Sequence, residues 1–264
     1  MVETRVLMHF FIIPGNPPAI HFYKLWAEEI KKEFPESFIT ISSYPHLPVS
    51  HDSFEYLNKT QEIHAEALLA FSQKVQGKVI IIGHSLGGWM AFNLLKKHSE
   101  IIENCFLLYP FLLRPTLKGR AVLSLMHYIH KVPLLEKLLL SSRGLLEKLI
   151  DPLKYVTDGE LRISIALSCH EHRVIGHNNS FLEIPEASKK KLHLLYCEKD
   201  TWCPKSTIQE MKKTVTCQKT DTSHDFITYP KERILVLEAL KQLLDLPSQT
   251  RLPNSLIQMK NKTQ

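Results

Sequence analysis

The sequence reads Val79-Ile80-Ile81-Ile82-Gly83-His84-Ser85-Leu86-Gly87 where a short apolar run ends in a serine between two glycines. Four β-branched residues are too few for a helix and predict a buried central strand. The spacing of apolar residues over 89–98 then predicts a helix. At such a strand-to-helix turn, the serine is strained and its hydroxyl projects from the sheet, while side chains at Gly83 or Gly87 would clash. We therefore predict a nucleophile elbow centred on Ser85.

Apolar runs and amphipathic stretches alternate on both sides of this motif, as in a mostly parallel sheet flanked by helices. The predicted strands are 6–13, 38–42, 79–82, 105–109, 192–197 and 214–220. The predicted helices are 22–34, 57–75, 89–98, 207–213 and 231–246. The alternation stops between 111 and 191, where leucine-rich pieces such as 123–140 and 144–149 predict a helical cap. The expected organisation is one domain over 1–246 and a flexible basic tail over 247–264.

Composition excludes several classes of protein. With 44% hydrophobic and 23% charged residues, the chain has an ordinary globular composition rather than a disordered one. A net charge of +6 is too small by itself to indicate nucleic-acid binding. No uncharged apolar stretch approaches the ~18 residues of a spanning helix, and the N-terminus lacks the basic start of a signal peptide. Five scattered cysteines without C-x-x-C spacing favour a reduced, intracellular protein.

A serine hydroxyl needs a neighbouring base, and that base needs an acid to orient it. In the α/β-hydrolase arrangement the acid follows a strand and the histidine lies in the loop after the last strand. Asp200 stands in the loop after the fifth predicted strand and is the preferred acid, with Glu198 and Asp221 as alternatives. His224 lies between the sixth strand and the last helix and is the predicted base. The predicted catalytic residues are Ser85, Asp200 and His224.

The oxyanion formed when serine attacks an ester needs two backbone N–H groups. Leu86, directly after the serine, supplies the first. The loop after the first strand supplies the second, and Asn16 is the preferred donor because Pro14, Pro17 and Pro18 have no N–H.

Fourteen histidines raise metal binding as an alternative. Two pairs, His127 with His130 and His170 with His172, are close in sequence, but neither has a third candidate ligand nearby. We therefore predict no metal and no cofactor. His84, inside the elbow, is expected to point away from Ser85.

The residues from Phe111 to Ile150 carry seven basic side chains and two acidic ones, which is +5 of the net +6. The same stretch is rich in leucine. Basic amphipathic helices of this kind lie in a lipid interface, or they form a lid whose apolar face packs on the domain. One segment serves both roles if it opens over Ser85 at a lipid surface. The predicted partners are a hydrophobic ester and a lipid surface, with no nucleic acid.

Four stretches of the sequence together resemble the lipid droplet-associated hydrolase family. They are Ile12-Ile13-Pro14-Gly15-Asn16-Pro17 with Phe22-Tyr23, the elbow, Asp200-Thr201-Trp202-Cys203-Pro204 and Ser223-His224-Asp225-Phe226. Many unrelated esterases share the elbow, whereas the Pro-Gly-Asn and Asp-x-Trp-Cys-Pro stretches are found in far fewer families and are more specific for this one. The resemblance, over residues 6–246, implies an α/β-hydrolase fold, action on sterol esters, and residence on lipid droplets and the cytosolic face of the endoplasmic reticulum.

The sequence departs from the family pattern in two places. Pro18 stands where the family has glycine, and this stiffens the loop of the second oxyanion donor. The chain is also expected to lack the two leading strands of α/β hydrolases, which makes strand 38–42 a sheet edge.

These features predict a serine esterase for hydrophobic esters at the lipid droplet surface. The alternative is a hydrolase-fold protein with little or no turnover that binds droplets and influences neutral-lipid storage. An acyltransferase that passes the acyl group to another alcohol is a lesser variant.

Overall fold

The computed structural model describes residues 7–45, 53–113, 115–142, 155–175 and 185–245, which surround a six-stranded sheet. The strands are β1 (Met8–Ile13), β2 (Ile39–Ile41), β3 (Lys78–His84), β4 (Ile102–Leu108), β5 (Leu192–Tyr196) and β6 (Thr216–Lys219). Their order is β2-β1-β3-β4-β5-β6, and every neighbouring pair is parallel. The predicted parallel sheet is confirmed, and β2 lies at one edge of the described sheet.

Nine α-helices are described in these parts of the chain. They are α1 (Ile20–Glu33), α2 (Ser53–Lys74), α3 (Leu86–Lys97), α4 (Leu117–Lys131), α5 (Pro133–Ser141), α6 (Asp158–Val174), α7 (Glu186–Lys189), α8 (Lys205–Met211) and α9 (Pro230–Asp245). A short 3₁₀ turn, Phe226–Thr228, precedes α9. Outside the insertion, the ends predicted from sequence lie within three residues of these bounds, apart from the start of α2. None of the described helices is both long and apolar enough to cross a membrane.

The core lies on both faces of the sheet because neighbouring strand residues point to opposite sides. Phe11 and Ile81 belong to a cluster that includes residues of α2, α3 and α8. Phe10 and Ile82 belong to a second cluster with residues of α1 and α9. Burial of both faces explains the continuous apolar runs of the strands.

The insertion between β4 and β5 contains α4, α5, α6 and the short α7 in its described parts. The single helical piece expected over 123–140 is wrong, because α4 ends and α5 begins at the Val132-Pro133 step. Proline disfavours the helical conformation of the residue before it, and Val132 is extended. The piece predicted at 144–149 and the tail at 247–264 lie outside the described residues.

Helix α6 is the longest described helix of the insertion, and the sequence analysis does not single it out. It begins with a capping box, in which the Thr157 hydroxyl accepts from the Glu160 N–H at 3.1 Å and Glu160 Oε2 accepts from the Thr157 N–H at 2.8 Å. This Thr-x-x-Glu pattern is a readable start signal. The helix contacts α4 and α2, so the insertion packs onto the body of the fold.

Candidate active site

Three loops at the carboxyl ends of β3, β5 and β6 bring Ser85, Asp200 and His224 together. His224 Nε2 lies 3.0 Å from Ser85 Oγ, and His224 Nδ1 lies 2.9 Å from Asp200 Oδ2. An ionised carboxylate only accepts hydrogen bonds, so Nδ1 carries the imidazole proton and Nε2 faces the serine hydroxyl as an acceptor. In this geometry the imidazole is placed to take the proton of Ser85.

The Asp200 side chain is fully buried and fully hydrogen-bonded. Its Oδ1 accepts from the N–H groups of Trp202 at 2.7 Å and Cys203 at 3.1 Å. Burial by itself raises the pKa of this carboxyl, but the hydrogen bond and charge of His224 and the two backbone N–H groups outweigh it, so the pKa lies below its usual value. In the described part of the chain the His224 imidazole bonds to Asp200 rather than to the alternative acids: Glu198 pairs with Lys219 at 3.4 Å, and Asp221 is exposed.

The turn that carries Ser85 is strained and crowded. Ser85 has φ 53° and ψ −117°, a sparsely populated positive-φ conformation that costs a non-glycine residue about 1–3 kcal/mol. A Cβ at Gly83 would lie 2.2 Å from the Gly87 carbonyl oxygen, and a Cβ at Gly87 would lie 2.2 Å from the Ile13 carbonyl oxygen. Both glycines of the elbow are therefore required by close backbone approach.

Beside the elbow, the N–H groups of Leu86 and Asn16 have no hydrogen-bond partner in the described part of the chain. Leu86 is the first residue of α3, and the first N–H groups of a helix have no intrahelical partner. In the loop after β1, the Gly15 N–H donates to the Tyr23 hydroxyl at 2.8 Å. The Asn16 N–H has no hydrogen-bond partner among the residues that the structure describes. Leu86 and Asn16 are the two donors that the sequence predicts.

The side chain of Asn16 fastens its loop to α6. Its Nδ2 donates to the Ser164 carbonyl at 3.2 Å, to Ser168 Oγ at 3.0 Å and to Glu171 Oε2 at 3.2 Å. Glu171 is 4% exposed, and burial raises its pKa to about 7 despite the opposing hydrogen bond from Asn16. The insertion therefore holds the loop that supplies one of these two N–H groups.

A cavity of about 650 Å³ opens on the histidine side of the site. Lys118 and Val122 of α4 line it together with Asp200, Trp202 and His224. Its volume is within the range of small-molecule sites. Ser85 is not among the lining residues, so this cavity is an approach to the base rather than the space around the nucleophile.

His127 and His170, one from each histidine pair considered for zinc, have other contacts in the described ranges. These ranges contain no group of three His, Cys, Asp or Glu side chains placed to hold a metal ion. His127 contacts Cys169, and His170 stacks on Tyr56 with the ring centroids 4.5 Å apart.

Comparison with protein families identifies the chain. Residues 7–153, more than half of its length, match the family model described as lipid-droplet associated hydrolase. The chain belongs to the lipid-droplet associated hydrolase family. The human lipid droplet-associated hydrolase is 26% identical over 286 aligned positions, covering 90% of this chain and 86% of the relative. The protein of the same name from Pongo abelii is 26% identical over 287 positions, with the same coverage.

Solved structures show the same fold at low sequence identity. An α/β hydrolase from a Medee basin deep-sea metagenome library superposes with a TM-score of 0.61 at 12% identity, covering 96% of this chain and 94% of its own. A carboxylesterase from Nitrososphaera gargenis superposes with a TM-score of 0.60 at 14% identity, covering 92% of each chain. The α/β-hydrolase fold of this family member is thereby confirmed.

The sequence analysis misses two residues beneath the site, Tyr23 and His84. The elbow pattern gives His84 no role beyond pointing away from Ser85. Its ring is buried, with Nδ1 2.5 Å from the Tyr23 hydroxyl and Nε2 2.9 Å from the His224 carbonyl oxygen. Tyr23 follows Phe22 in one of the stretches shared with the family, but no local pattern pairs it with a residue 61 positions away.

Proposed function

We propose that this family member is a carboxylic ester hydrolase that uses Ser85 as its nucleophile. The observation that carries the proposal is the chain of hydrogen bonds from Asp200 through His224 to Ser85, with heavy-atom distances of 2.9 and 3.0 Å. It is supported by the strained elbow and by the N–H groups of Leu86 and Asn16 beside it. Membership of a hydrolase family points to the same chemistry.

In the proposed reaction, Ser85 Oγ attacks the ester carbonyl carbon while its proton moves to His224 Nε2. The N–H groups of Leu86 and Asn16 stabilise the resulting oxyanion. As the tetrahedral intermediate collapses, the bond to the alcohol oxygen breaks, the alcohol takes the proton from His224, and Ser85 keeps the acyl group. Water then attacks the acyl-enzyme, giving a proton to His224, and the free acid leaves as Ser85 Oγ recovers that proton.

Asp200 contributes through its charge and its fixed position. Its lowered pKa keeps it ionised at neutral pH, so it stabilises the imidazolium that forms when Ser85 is deprotonated. The two backbone N–H groups on Oδ1 prevent rotation of the carboxylate away from His224. Each proposed role of Asp200 therefore rests on a specific hydrogen bond.

We place the substrate at a lipid surface because the insertion exposes many apolar side chains. The exposed apolar side chains of α4 and α5, together called the α4–α5 apolar surface, are Leu117, Val122, Leu125, Tyr128, Leu134, Leu135 and Leu138. Exposed Lys118, Arg120, Lys131 and Lys137 lie among them. Apolar helices with a basic rim bind the boundary of anionic phospholipid layers. The relatives' name points to the lipid droplet, whose phospholipid monolayer is the proposed partner.

The same surface connects to the candidate active site through the start of α4. The Thr116 N–H donates to the Thr201 carbonyl oxygen at 3.0 Å, directly after Asp200. A Cβ at Gly119 would lie 3.3 Å from Thr201. We therefore propose that docking on lipid acts on the acid loop through α4 and exposes Ser85, which is 7% exposed in this structure.

Hydrolysis of esters in emulsified lipid tests the catalytic proposal. The substrates are p-nitrophenyl esters of increasing chain length, cholesteryl oleate and trioleoylglycerol, with the released acid or phenol as readout. Ser85→Ala removes turnover, whereas Ser72→Ala, which removes an exposed serine hydroxyl from α2, leaves it unchanged. Equal turnover by wild type and Ser85→Ala rejects the proposed nucleophile. A preference for cholesteryl oleate supports sterol esters as the substrate class. The proposed location is the lipid droplet and the cytosolic face of the endoplasmic reticulum.

Flotation with phospholipid-coated triacylglycerol droplets tests the lipid surface. Leu125→Glu and Leu134→Glu place a charge at side chains that are 56% and 73% exposed, so each weakens droplet binding without disturbing the core. Leu235→Glu is the matched control, because this α9 residue is 52% exposed outside the insertion. Equal loss of binding in all three variants contradicts a surface on α4 and α5.

The second candidate function is droplet binding without useful turnover. The exposed apolar side chains of the insertion favour it, since binding through them needs no Ser85 chemistry. Cells that lack the protein are complemented with wild type or Ser85→Ala, and stored neutral lipid is measured. Complementation by Ser85→Ala supports the binding role, whereas failure of Ser85→Ala supports the hydrolase.

A further inference from the structure

We infer that Tyr23 and His84 are positioning residues, which form a buried bridge holding the His224 backbone and the Gly15-Asn16 loop in register with Ser85. This inference rests on the proposed function, because it assigns a task relative to the proposed nucleophile and base. Neither residue touches the reacting atoms. Both act through the backbone of residues that do.

The bridge is a chain of three hydrogen bonds with a defined direction. The Gly15 N–H donates to the Tyr23 hydroxyl oxygen at 2.8 Å. The Tyr23 hydroxyl and His84 Nδ1 are 2.5 Å apart, and His84 Nε2 is 2.9 Å from the His224 carbonyl oxygen. A carbonyl oxygen only accepts, so His84 Nε2 carries the ring proton and donates it. Nδ1 then accepts from the Tyr23 hydroxyl.

Burial fixes the protonation states of Tyr23 and His84, the two side chains of the bridge. The exposed fractions of Tyr23 and His84 are 1% and 5%. Burial, together with the neighbouring His224, lowers the pKa of His84 to about 3, although the bond to the His224 carbonyl opposes the shift. Burial also raises the pKa of Tyr23 above its usual value. His84 is therefore neutral and Tyr23 protonated across the neutral pH range, and the direction of donation does not change.

Aromatic rings prevent the His84 imidazole from turning. Phe226 lies edge-on with its ring centroid 5.1 Å from that of His84, and Tyr109 lies edge-on at 6.3 Å. Trp26 supports Phe226 from α1 at 5.4 Å. The Tyr109 hydroxyl contacts Thr220 and Thr222, so the same ring also anchors the chain leading to His224.

The bridge joins three chain segments that are far apart in sequence. His84 is 61 positions from Tyr23 and 140 positions from His224. Because His84 directly precedes Ser85, its backbone position is tied to the nucleophile. A displacement of about 1 Å in a catalytic group costs roughly 10²-fold in rate. Loss of the fixed connection between the elbow, the base and the oxyanion loop is therefore expected to lower kcat by a measurable factor.

Two substitutions at His84 separate positioning from packing. In His84→Gln, the amide N–H₂ reaches approximately to the position of Nε2, so the donor for the His224 carbonyl is kept and contact with Tyr23 is lost. In His84→Asn, the shorter side chain reaches only toward the position of Nδ1, so contact with Tyr23 is kept and contact with His224 is lost. Both variants remove the ring, so a packing role predicts similar losses. Tyr23→Phe removes the middle of the bridge, and Tyr56→Phe is the control because it removes another buried tyrosine hydroxyl.

The readouts are kcat and KM for a soluble p-nitrophenyl ester, and the imidazole proton spectrum of the resting protein by NMR. We expect His84→Asn to lower kcat about 100-fold and His84→Gln to stay within about 10-fold of wild type. Tyr23→Phe lowers kcat by about 10-fold, because it loses the Tyr23–His84 bond and keeps the donor to the His224 carbonyl, as His84→Gln does. KM changes little in all variants because neither residue contacts substrate. The strongly downfield Nδ1 proton of His224, hydrogen-bonded to Asp200, persists in Tyr56→Phe, is shifted in His84→Gln and Tyr23→Phe, and is lost in His84→Asn.

Equal kcat in His84→Asn and His84→Gln, or wild-type kcat in Tyr23→Phe, overturns the bridge while leaving the proposed function intact. If the wild type shows no Ser85-dependent hydrolysis, the proposed function fails and the spectrum of the resting protein decides the inference. An unchanged His224 proton in both His84→Asn and Tyr23→Phe then overturns it. If His84→Asn does not fold, Tyr23→Phe against Tyr56→Phe carries the test.

Discussion

Replacement of Glu171 by glutamine makes the protein more stable at neutral and alkaline pH. The Glu171 carboxyl is buried on α6, where it accepts a hydrogen bond from Asn16 Nδ2 and has no basic partner in that contact. Burial raises its pKa from the usual 4.5 to about 7. Glutamine keeps an oxygen acceptor for Asn16 and cannot ionise, so it mimics the protonated acid.

The magnitude follows from proton linkage. Between about pH 4.5 and pH 7 the folded protein holds a proton on Glu171 that the unfolded chain has released, so wild-type stability falls as pH rises through this window. The interval between the two pKa values corresponds to about 3 kcal/mol. The stability advantage of Glu171→Gln is therefore near zero at about pH 4 and grows to about 3 kcal/mol by about pH 8.

Urea unfolding of wild type and variant at a series of pH values measures this difference directly. Other titrating groups are common to both proteins and cancel in the comparison. Glu36→Gln, at an exposed position, is the control for removal of one carboxylate. A difference between Glu171→Gln and wild type that is constant with pH, or that favours the wild type above pH 7, refutes the reasoning.

Three further substitutions test the elbow and the acid. Ser85→Gly relieves the strain of φ 53° and is about 1 kcal/mol more stable than Ser85→Ala in urea unfolding, although both lack the hydroxyl; equal stability contradicts the strain. Gly87→Ala places a Cβ 2.2 Å from the Ile13 carbonyl oxygen and destabilises the protein by about 3 kcal/mol in the same assay, so wild-type stability contradicts the crowding. Asp200→Asn keeps the fold but lowers kcat about 10⁴-fold in ester hydrolysis, and a loss below about 10-fold removes Asp200 from the proposed mechanism.

Sequence patterns were sufficient for the features that depend on neighbouring residues. Alternating apolar runs give the strands because a parallel sheet buries both of its faces. The elbow is readable because Gly83 and Gly87 satisfy a local steric requirement at Ser85. The loop after β5 places the two candidate acids differently: the Asp200 side chain contacts His224, whereas the Glu198 side chain pairs with Lys219.

Features that depend on distant contacts were not readable. Two missed features nevertheless have local signals. The break before Pro133 follows from the proline rule, but the high leucine content of 123–140 suggests one continuous helix. The start of α6 carries a capping box, but no predicted strand adjoins this helix to draw attention to it. The bond from Asn16 to Glu171 joins residues 155 positions apart, and nothing in either local pattern indicates it. His84 shows the same limit, because its partners come from α1 and from the last loop of the sheet.

Labelling with a fluorophosphonate, followed by proteolysis and mass spectrometry, tests the central claim most directly. The fluorophosphonate reacts with a serine whose hydroxyl a neighbouring base activates. Mass spectrometry of the modified peptide then identifies which serine has reacted. The account predicts one adduct on the peptide that carries Ser85, no adduct there in Ser85→Ala, and labelling at least about 10²-fold slower in His224→Ala. An unlabelled Ser85 in folded wild-type protein, or equally fast labelling in His224→Ala, contradicts an activated nucleophile at this site.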